Sequence, residues 1–235
     1  MKILVLVIAS DQSQQYIDMQ ALWRARISPA DFDVWFVKSM SADMWIWSLD
    51  SDIGICEDSR TIFVKQDETF IPGILNKTVV ALEYFLGRHE YTHVWRTNLS
   101  SVLDFDGLRL CLLSDAGRRC SYAGFCGVYD NIQNQLIYFA SGAGFLMIRE
   151  AALYLVANHS LVLSWDIIDD VAIGRLLYPI FGLTHIERLW VKSMDDPIRE
   201  VLLNGIFHFR CNTHEHTNTL PLMKKVRDVI DFVEL

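Results

Sequence analysis

The chain has 235 residues, with 21 Lys and Arg against 29 Asp and Glu, a formal net charge of -8 and a pI of about 5.3. That length buries a sizeable core in one large domain, while the acidic balance excludes a nucleic-acid groove, which needs clustered Lys and Arg to displace counterions from phosphates. Cys56, Cys111, Cys120, Cys126 and Cys211 are odd in number and show no Cys-x-x-Cys spacing, so a disulfide framework and structural zinc are disfavoured and reduced thiols in a cytoplasm are expected.

Residues 3–9 form a continuous apolar run, the pattern of a strand covered on both faces. Lys2 ahead of an apolar segment has the outline of a secretory signal, but the segment is short and runs straight into Asp11-Gln-Ser-Gln-Gln, which favours a buried first strand. The polar stretch from 11 to about 26 predicts a helix packed beside it, a strand-to-helix arrangement suited to a nucleotide. Residues 32–38 and 61–64 are rich in β-branched and aromatic side chains and read as the next strands, with an irregular segment holding Trp45 and Trp47 between them.

Pro72, whose fixed φ suits a first turn, opens a helix carrying Leu75, Val79, Leu82 and Leu86 at helical spacing and ending near Gly87. Residues 91–97 predict a strand that ends in polar residues, and ligands of open α/β sheets gather at such carboxyl ends. A helix over 103–113, strands over 124–129 and 136–140, and a helix over 148–158 follow. Asp169 or Asp170 caps another helix. Residues 207–211 read as a strand, 214–218 as a loop, and 220–233 as a terminal helix. No other apolar run approaches the roughly 18 residues that cross a bilayer. The mean hydropathy of +0.21 is nevertheless high and leaves apolar surface for a partner or a membrane.

Chemistry concentrates at a few places. Arg96-Thr97-Asn98-Leu99-Ser100 follows a strand, where short oxygen-bearing side chains and a guanidinium face phosphates well; a strand-end turn with a solvated Arg is the plainer alternative. Ser141-Gly-Ala-Gly144 allows backbone amides to approach a ligand closely, or simply makes a tight turn between a strand and the next helix. Asp169-Asp170 offers a paired carboxylate for proton transfer, or a helix N-cap pair. His214, Glu215 and His216 are read as a solvated loop because no fourth ligand stands at regular spacing. Trp45, Trp47, Trp165 and Trp190 are candidates for stacking on a sugar, with Trp165 preferred for its place just before the acidic pair.

In their order along residues 1 to 212, Glu68-Thr-Phe-Ile-Pro-Gly-Ile-Leu-Asn-Lys-Thr78, Tyr91-Thr-His-Val-Trp-Arg-Thr-Asn-Leu-Ser-Ser101, Ala140-Ser-Gly-Ala-Gly-Phe-Leu-Met147, Asp169-Asp-Val-Ala-Ile-Gly174 and Phe207-His-Phe-Arg210 resemble a GT-A glycosyltransferase. The resemblance is to the small enzymes of large DNA viruses and bacteria and, more distantly, to the galactosyltransferase and Fringe group. It implies a Rossmann-like mixed α/β sheet flanked by helices in a single domain spanning 1–235. Residues 1–101 would form the donor half, and 102–235 the acceptor half with the C-terminal helix.

The implied activity is transfer of a sugar from a nucleotide-diphosphate donor, a UDP-sugar, to a hydroxyl of a glycan or glycoprotein, in the cytoplasm, or the host cytoplasm for a viral chain. Ala9, Ser10 and Asp11 would lie near the nucleoside. Lys77, Arg96, Thr97, Asn98 and Arg210 would hold the diphosphate, while Ser141, Gly142, Ala143, Gly144 and Trp165 would line the sugar and acceptor. The family's Asp-x-Asp, which holds Mn2+ or Mg2+, reads Asn98-Leu99-Ser100 here, and neutral oxygens bind such cations weakly. The implied metal set is therefore Asn98, Ser100 and His208, with Lys77 and Arg96 as cationic substitutes and Asp104 and Asp106 as a displaced acidic pair or a helix cap. Asp170, with Asp169 second, matches the family's proton acceptor. Two alternatives stand beside this reading: a sugar-nucleotide or glycan-binding protein without turnover, and an unrelated Rossmann-like enzyme, which would want a Gly-x-Gly-x-x-Gly after the first strand.

Overall fold

The computed structural model describes residues 1–25, 29–41, 51–130, 136–211 and 219–233. The segment with Trp45 and Trp47 and the loop with His214, Glu215 and His216 lie outside them. The apolar run becomes β1 (Ile3–Ile8), buried along its whole length. Helix α1 (Gln14–Arg24) follows, opened by Ser13, whose hydroxyl accepts the Tyr16 N–H. Then come β2 (Phe32–Ser39), β3 (Ile53–Cys56), β4 (Thr61–Val64), α2 (Gly73–Leu86) and β5 (His93–Asn98).

The second half runs β6 (Ser101–Leu103), α3 (Phe105–Leu113), β7 (Tyr122–Asp130), β8 (Leu136–Ile148), α4 (Arg149–Ala157), α5 (His159–Leu163), α6 (Asp169–Phe181), β9 (Thr184–His185), β10 (Leu189–Val191), α7 (Ile198–Leu203), β11 (His208–Cys211) and α8 (Thr219–Val233).

Among the described residues the strands make an eight-stranded sheet in the order β3-β4-β2-β1-β5-β8-β7-β9 and a small one in the order β10-β11-β6. Strands β4, β2, β1 and β5 run parallel, and β8 returns antiparallel against β5. Alternation along β1 sends Ile3, Val5 and Val7 into one apolar layer with α1, α3 and α8, and Leu4, Leu6 and Ile8 into another with α2, α4 and α6. A strand covered on both faces in this way must be apolar throughout, which is why β1 carries no polar residue.

Two expectations change. Residues 141–144 are not a turn before a helix, because β8 continues through them to Ile148. They bulge instead: β7 pairs Gly124 with Phe145 and then Cys126 with Ala140, so the intervening residues of β8 stand opposite Phe125. Bulges of this kind turn a strand's side chains and backbone toward a site. The helix expected over 103–113 starts at Phe105, because the Asp104 carboxylate caps it by accepting the Asp106 and Gly107 N–H groups, and Leu103 belongs to β6. With Asp106 paired to Arg109, the displaced acidic pair serves the helix.

Candidate active site

The carboxyl ends of β1, β2 and β5 open into one trough. Ile8 sits beside Asn98 in the β1–β5 register, and the chain leaves β1 and β5 in opposite lateral directions, a switch point of the kind where parallel sheets bind ligands. Three cavities join end to end. One of about 400 Å3 is lined by Asp11, Lys38, Phe63 and Gln66. It shares Ser10, Gln12 and Glu68 with a second of about 330 Å3, lined by Ala9, Tyr16, Leu99 and Ser100. That one shares Phe70, Ile74, Asn98 and Arg210 with a third of about 250 Å3, which holds Arg96, Ser141, Gly142, Ala143, Asp169, Asp170, Arg188 and Trp190.

The third cavity is built around charge. Arg96, on β5, is 1% exposed and donates to Asp169 Oδ2 at 2.5 Å, to Asn98 Oδ1 at 3.1 Å and to the Gly142 carbonyl. Asp170, next along α6, accepts the Gly142 N–H at 2.8 Å and its neighbour Val171's N–H at 2.9 Å. The bulge in β8 is thus held from both sides, its carbonyl by a guanidinium and its amide by a carboxylate. Burial, reinforced by the charge of Asp169, lifts the Asp170 carboxyl above the ordinary value of 3.8, and the Gly142 N–H and Arg96 hold it back only in part. Arg188 donates to Ser141 Oγ at 2.8 Å and lies over the Phe125 ring at 4.4 Å. Arg210 donates to Ser100 Oγ; burial and the nearby charge of Arg188 bring its pKa down to about 10.

The structure brings together Arg96, Asn98, Ser141, Gly142, Ala143, Asp169, Asp170 and Arg210 in this cavity, and Ala9, Ser10 and Asp11 along the trough beyond it. Other candidates stand apart. Trp165 does not line the trough; it packs in the apolar layer under Arg175, at 4.5 Å, because it precedes the first turn of α6 on the side facing that layer. Trp190, 44% exposed, lines the cavity instead. Thr97 is fully buried and spends its hydroxyl on the Ala143 carbonyl at 2.6 Å. Gly144 lies below the cavity floor, where a Cβ would come within 2.7 Å of the His208 ring. Lys77 is buried and tied to Glu68 at 2.5 Å and to the Ala9 carbonyl at 3.4 Å.

The metal set does not assemble. Asn98 Oδ1 and Ser100 Oγ each accept from a guanidinium, so a divalent cation on them would face Arg96 and Arg210 directly. His208 is 1% exposed, stacks edge-on against Trp95, and keeps a pKa of about 3 through burial and the charge of Arg188. Among the described residues no group of His, Cys, Asp and Glu is arranged to hold a metal. The residues present do not fit the ion that the family resemblance implied.

Arg188, Lys38 and Glu68 were missed from sequence. Lys38 could have been found, since it closes the strand expected over 32–38 and stands one residue before the end of β2; it donates to both Asp11 oxygens at 2.7 and 2.8 Å. Burial pushes Asp11 upward, but the hydrogen bonds from Lys38 and Gln20 outweigh it and hold the carboxyl below its ordinary value. Arg188 precedes a three-residue strand and carried no signal.

No protein-family model matches the chain, and no curated protein matches it. Solved structures do. The galactosyltransferase LgtC, in complex with donor and acceptor sugar analogues, aligns at a TM-score of 0.52 with 9% identity over 96% of this chain and 95% of its own. An active-site mutant of LgtC aligns at 0.53 with 10% identity over the same shares. The glycosyltransferase GlyE of Streptococcus pneumoniae aligns at 0.48 with 9% identity over 99% of this chain and 64% of its own. The chain is a single α/β domain of the GT-A kind, a large mixed sheet flanked by helices. At such identities the likeness is one of fold, and activity has to be argued from the site.

Proposed function

We propose that this protein transfers a sugar from a nucleotide-diphosphate donor, a UDP-sugar, to a hydroxyl of a glycan acceptor. The observation that carries the reading is the position of Asp170: a half-buried carboxyl, oriented by the Gly142 and Val171 N–H groups, in a cavity that also holds Arg96, Arg188 and Arg210 and joins the longer trough at the carboxyl ends of β1 and β5. The trough has room for a nucleoside between Ala9, Tyr16 and Leu99, with the anionic part directed toward the arginines. The LgtC structure with donor and acceptor analogues supports partners of this class for a site on such a fold.

In the reaction the acceptor oxygen forms a bond to the anomeric carbon and the bond from that carbon to the diphosphate oxygen breaks. The acceptor proton passes to Asp170, and the electron pair of the broken bond stays on the nucleotide diphosphate. A sugar hydroxyl attacks poorly while it keeps its proton, and a carboxyl whose pKa is raised toward neutrality is a better acceptor than an ordinary one. Trp190, exposed in the same cavity as Asp170 and with Arg188 and Lys192 over its ring at 5.7 and 5.0 Å, is placed to pack against the apolar C–H side of the acceptor ring.

The test is a panel of UDP-sugars and acceptor glycans with UDP release and product formation measured for the wild-type protein and Asp170→Asn. Turnover that falls in the variant supports transfer. Tight UDP binding with no turnover on any pair instead supports a binding protein, a reading favoured by the neutral oxygens at 98 and 100 where related enzymes carry carboxylates.

A further inference from the structure

We infer that Arg96, Arg188 and Arg210 form a guanidinium clamp for the donor diphosphate and do the work of the divalent cation that Asn98, Ser100 and His208 are unsuited to hold. This rests on the reading of the trough as a nucleotide-sugar site. All three line the same cavity of about 250 Å3, and they come from separate places: the end of β5, the segment before β10, and β11. Each is oriented by the protein. Arg96 is held by Asp169, Asn98 and the Gly142 carbonyl, Arg188 by Ser141 Oγ and the Phe125 ring, and Arg210 by Ser100 Oγ. Oriented planar forks match phosphate oxygens in pairs without further ordering.

The charge balance points the same way. In a chain of net charge -8, three guanidiniums converge on one half-buried cavity against two carboxylates, and Asp169 is already paired with Arg96. Like charges so gathered repel one another, and burial lowers the proton affinity of both Arg188 and Arg210. An anion between them relieves that repulsion. A diphosphate, which gains charge as the glycosidic bond breaks, is the anion the trough leads to. Lys77 is fully buried, tied to Glu68 and the Ala9 carbonyl, and lines none of the three cavities.

The experiment is titration calorimetry of UDP and GDP into the purified protein, in EDTA and again in excess MnCl2, for the wild type, Arg188→Ala, Arg188→Lys and Arg210→Ala, with thermal melting of each. The expected result is an affinity that EDTA leaves unchanged and that each Ala variant weakens about tenfold to a hundredfold, with Arg188→Lys intermediate because a point charge replaces a fork. If an Ala variant melts early, Arg188→Lys carries the comparison. Binding that requires Mn2+ and vanishes in EDTA, or binding indifferent to positions 188 and 210, overturns the clamp and leaves sugar transfer standing. Failure of both nucleotides to bind in either condition, with no turnover of any donor, removes the proposed function itself.

Discussion

Arg96 Nη2 lies 2.5 Å from Asp169 Oδ2 across 73 residues of chain, with side chains 1% and 8% exposed. The pair joins the end of β5 to the first turn of α6, and through the Gly142 carbonyl Arg96 also holds the bulge of β8. Removing one partner leaves a buried charge uncompensated. Asp169→Ala is therefore expected to lose about 3–5 kcal/mol of stability, read from urea midpoints at neutral pH.

Asp170 behaves differently, because its partners are backbone amides. Asp170→Asn keeps one acceptor oxygen, so its stability cost stays under about 2 kcal/mol while turnover falls by about two to four orders of magnitude. On the proposed role of Asp170 as proton acceptor, which works ionised, wild-type kcat/KM is expected to rise with pH through an inflection above the ordinary carboxyl value of 3.8, because burial raises its pKa. The variant lacks that inflection. The stability effect of this group has the opposite sign. The folded state holds the Asp170 proton more tightly than the unfolded chain, so its contribution declines as pH rises through the same window.

His208 predicts an acid-sensitive fold. Burial and the charge of Arg188 bring its pKa to about 3 from 6.5, so between those values the unfolded chain binds a proton that the native ring refuses, and stability falls as pH is lowered. From pH 7 to pH 5 the loss from this group is about 2 kcal/mol. In His208→Asn, urea unfolding at the two pH values should show a loss smaller by that amount.

Gly144 holds a position where a methyl group would sit 2.7 Å from His208 Cε1 and 2.9 Å from Trp95 Cζ2. Neither ring can retreat, since both are buried and stacked on one another. Gly144→Ala should cost about 1–3 kcal/mol by overpacking, seen as a lowered melting temperature.

Trp190 and Trp165 should separate by assay. Trp190→Ala raises the acceptor KM with little change in melting temperature, because the ring lines the cavity in partial contact with solvent. Trp165→Ala lowers stability and leaves the acceptor KM unchanged, because its ring packs in the apolar layer with Arg175 above it. Steady-state kinetics with varied acceptor, alongside melting curves, distinguishes the two.

Much of the architecture was legible from periodicity. The unbroken apolar run of β1 and the helical spacing of Leu75, Val79, Leu82 and Leu86 in α2 each bury the face they predict. The elements missed, such as β3, β9, β10 and α7, span six residues or fewer; they are too short for a period to show and exist because a neighbouring strand or helix packs against them. In the trough, Asn98 and Lys38 share one logic, a polar residue within one position of the end of a parallel strand. Arg188 had no such cue, since its placement follows from the Phe125 ring and Ser141, both distant in sequence.

The order of apolar and polar residues by itself determined that a buried parallel strand would begin the sheet, that helices would cover both of its faces, and that polar groups would collect at the carboxyl ends of its strands, because these follow from local period and burial. Which charge meets which was decided only in three dimensions. Arg96 finding Asp169, Arg210 finding Ser100 and Lys77 finding Glu68 depend on separations set by the packed sheet, and electrostatic partnership falls off with distance in space, whatever the distance along the chain.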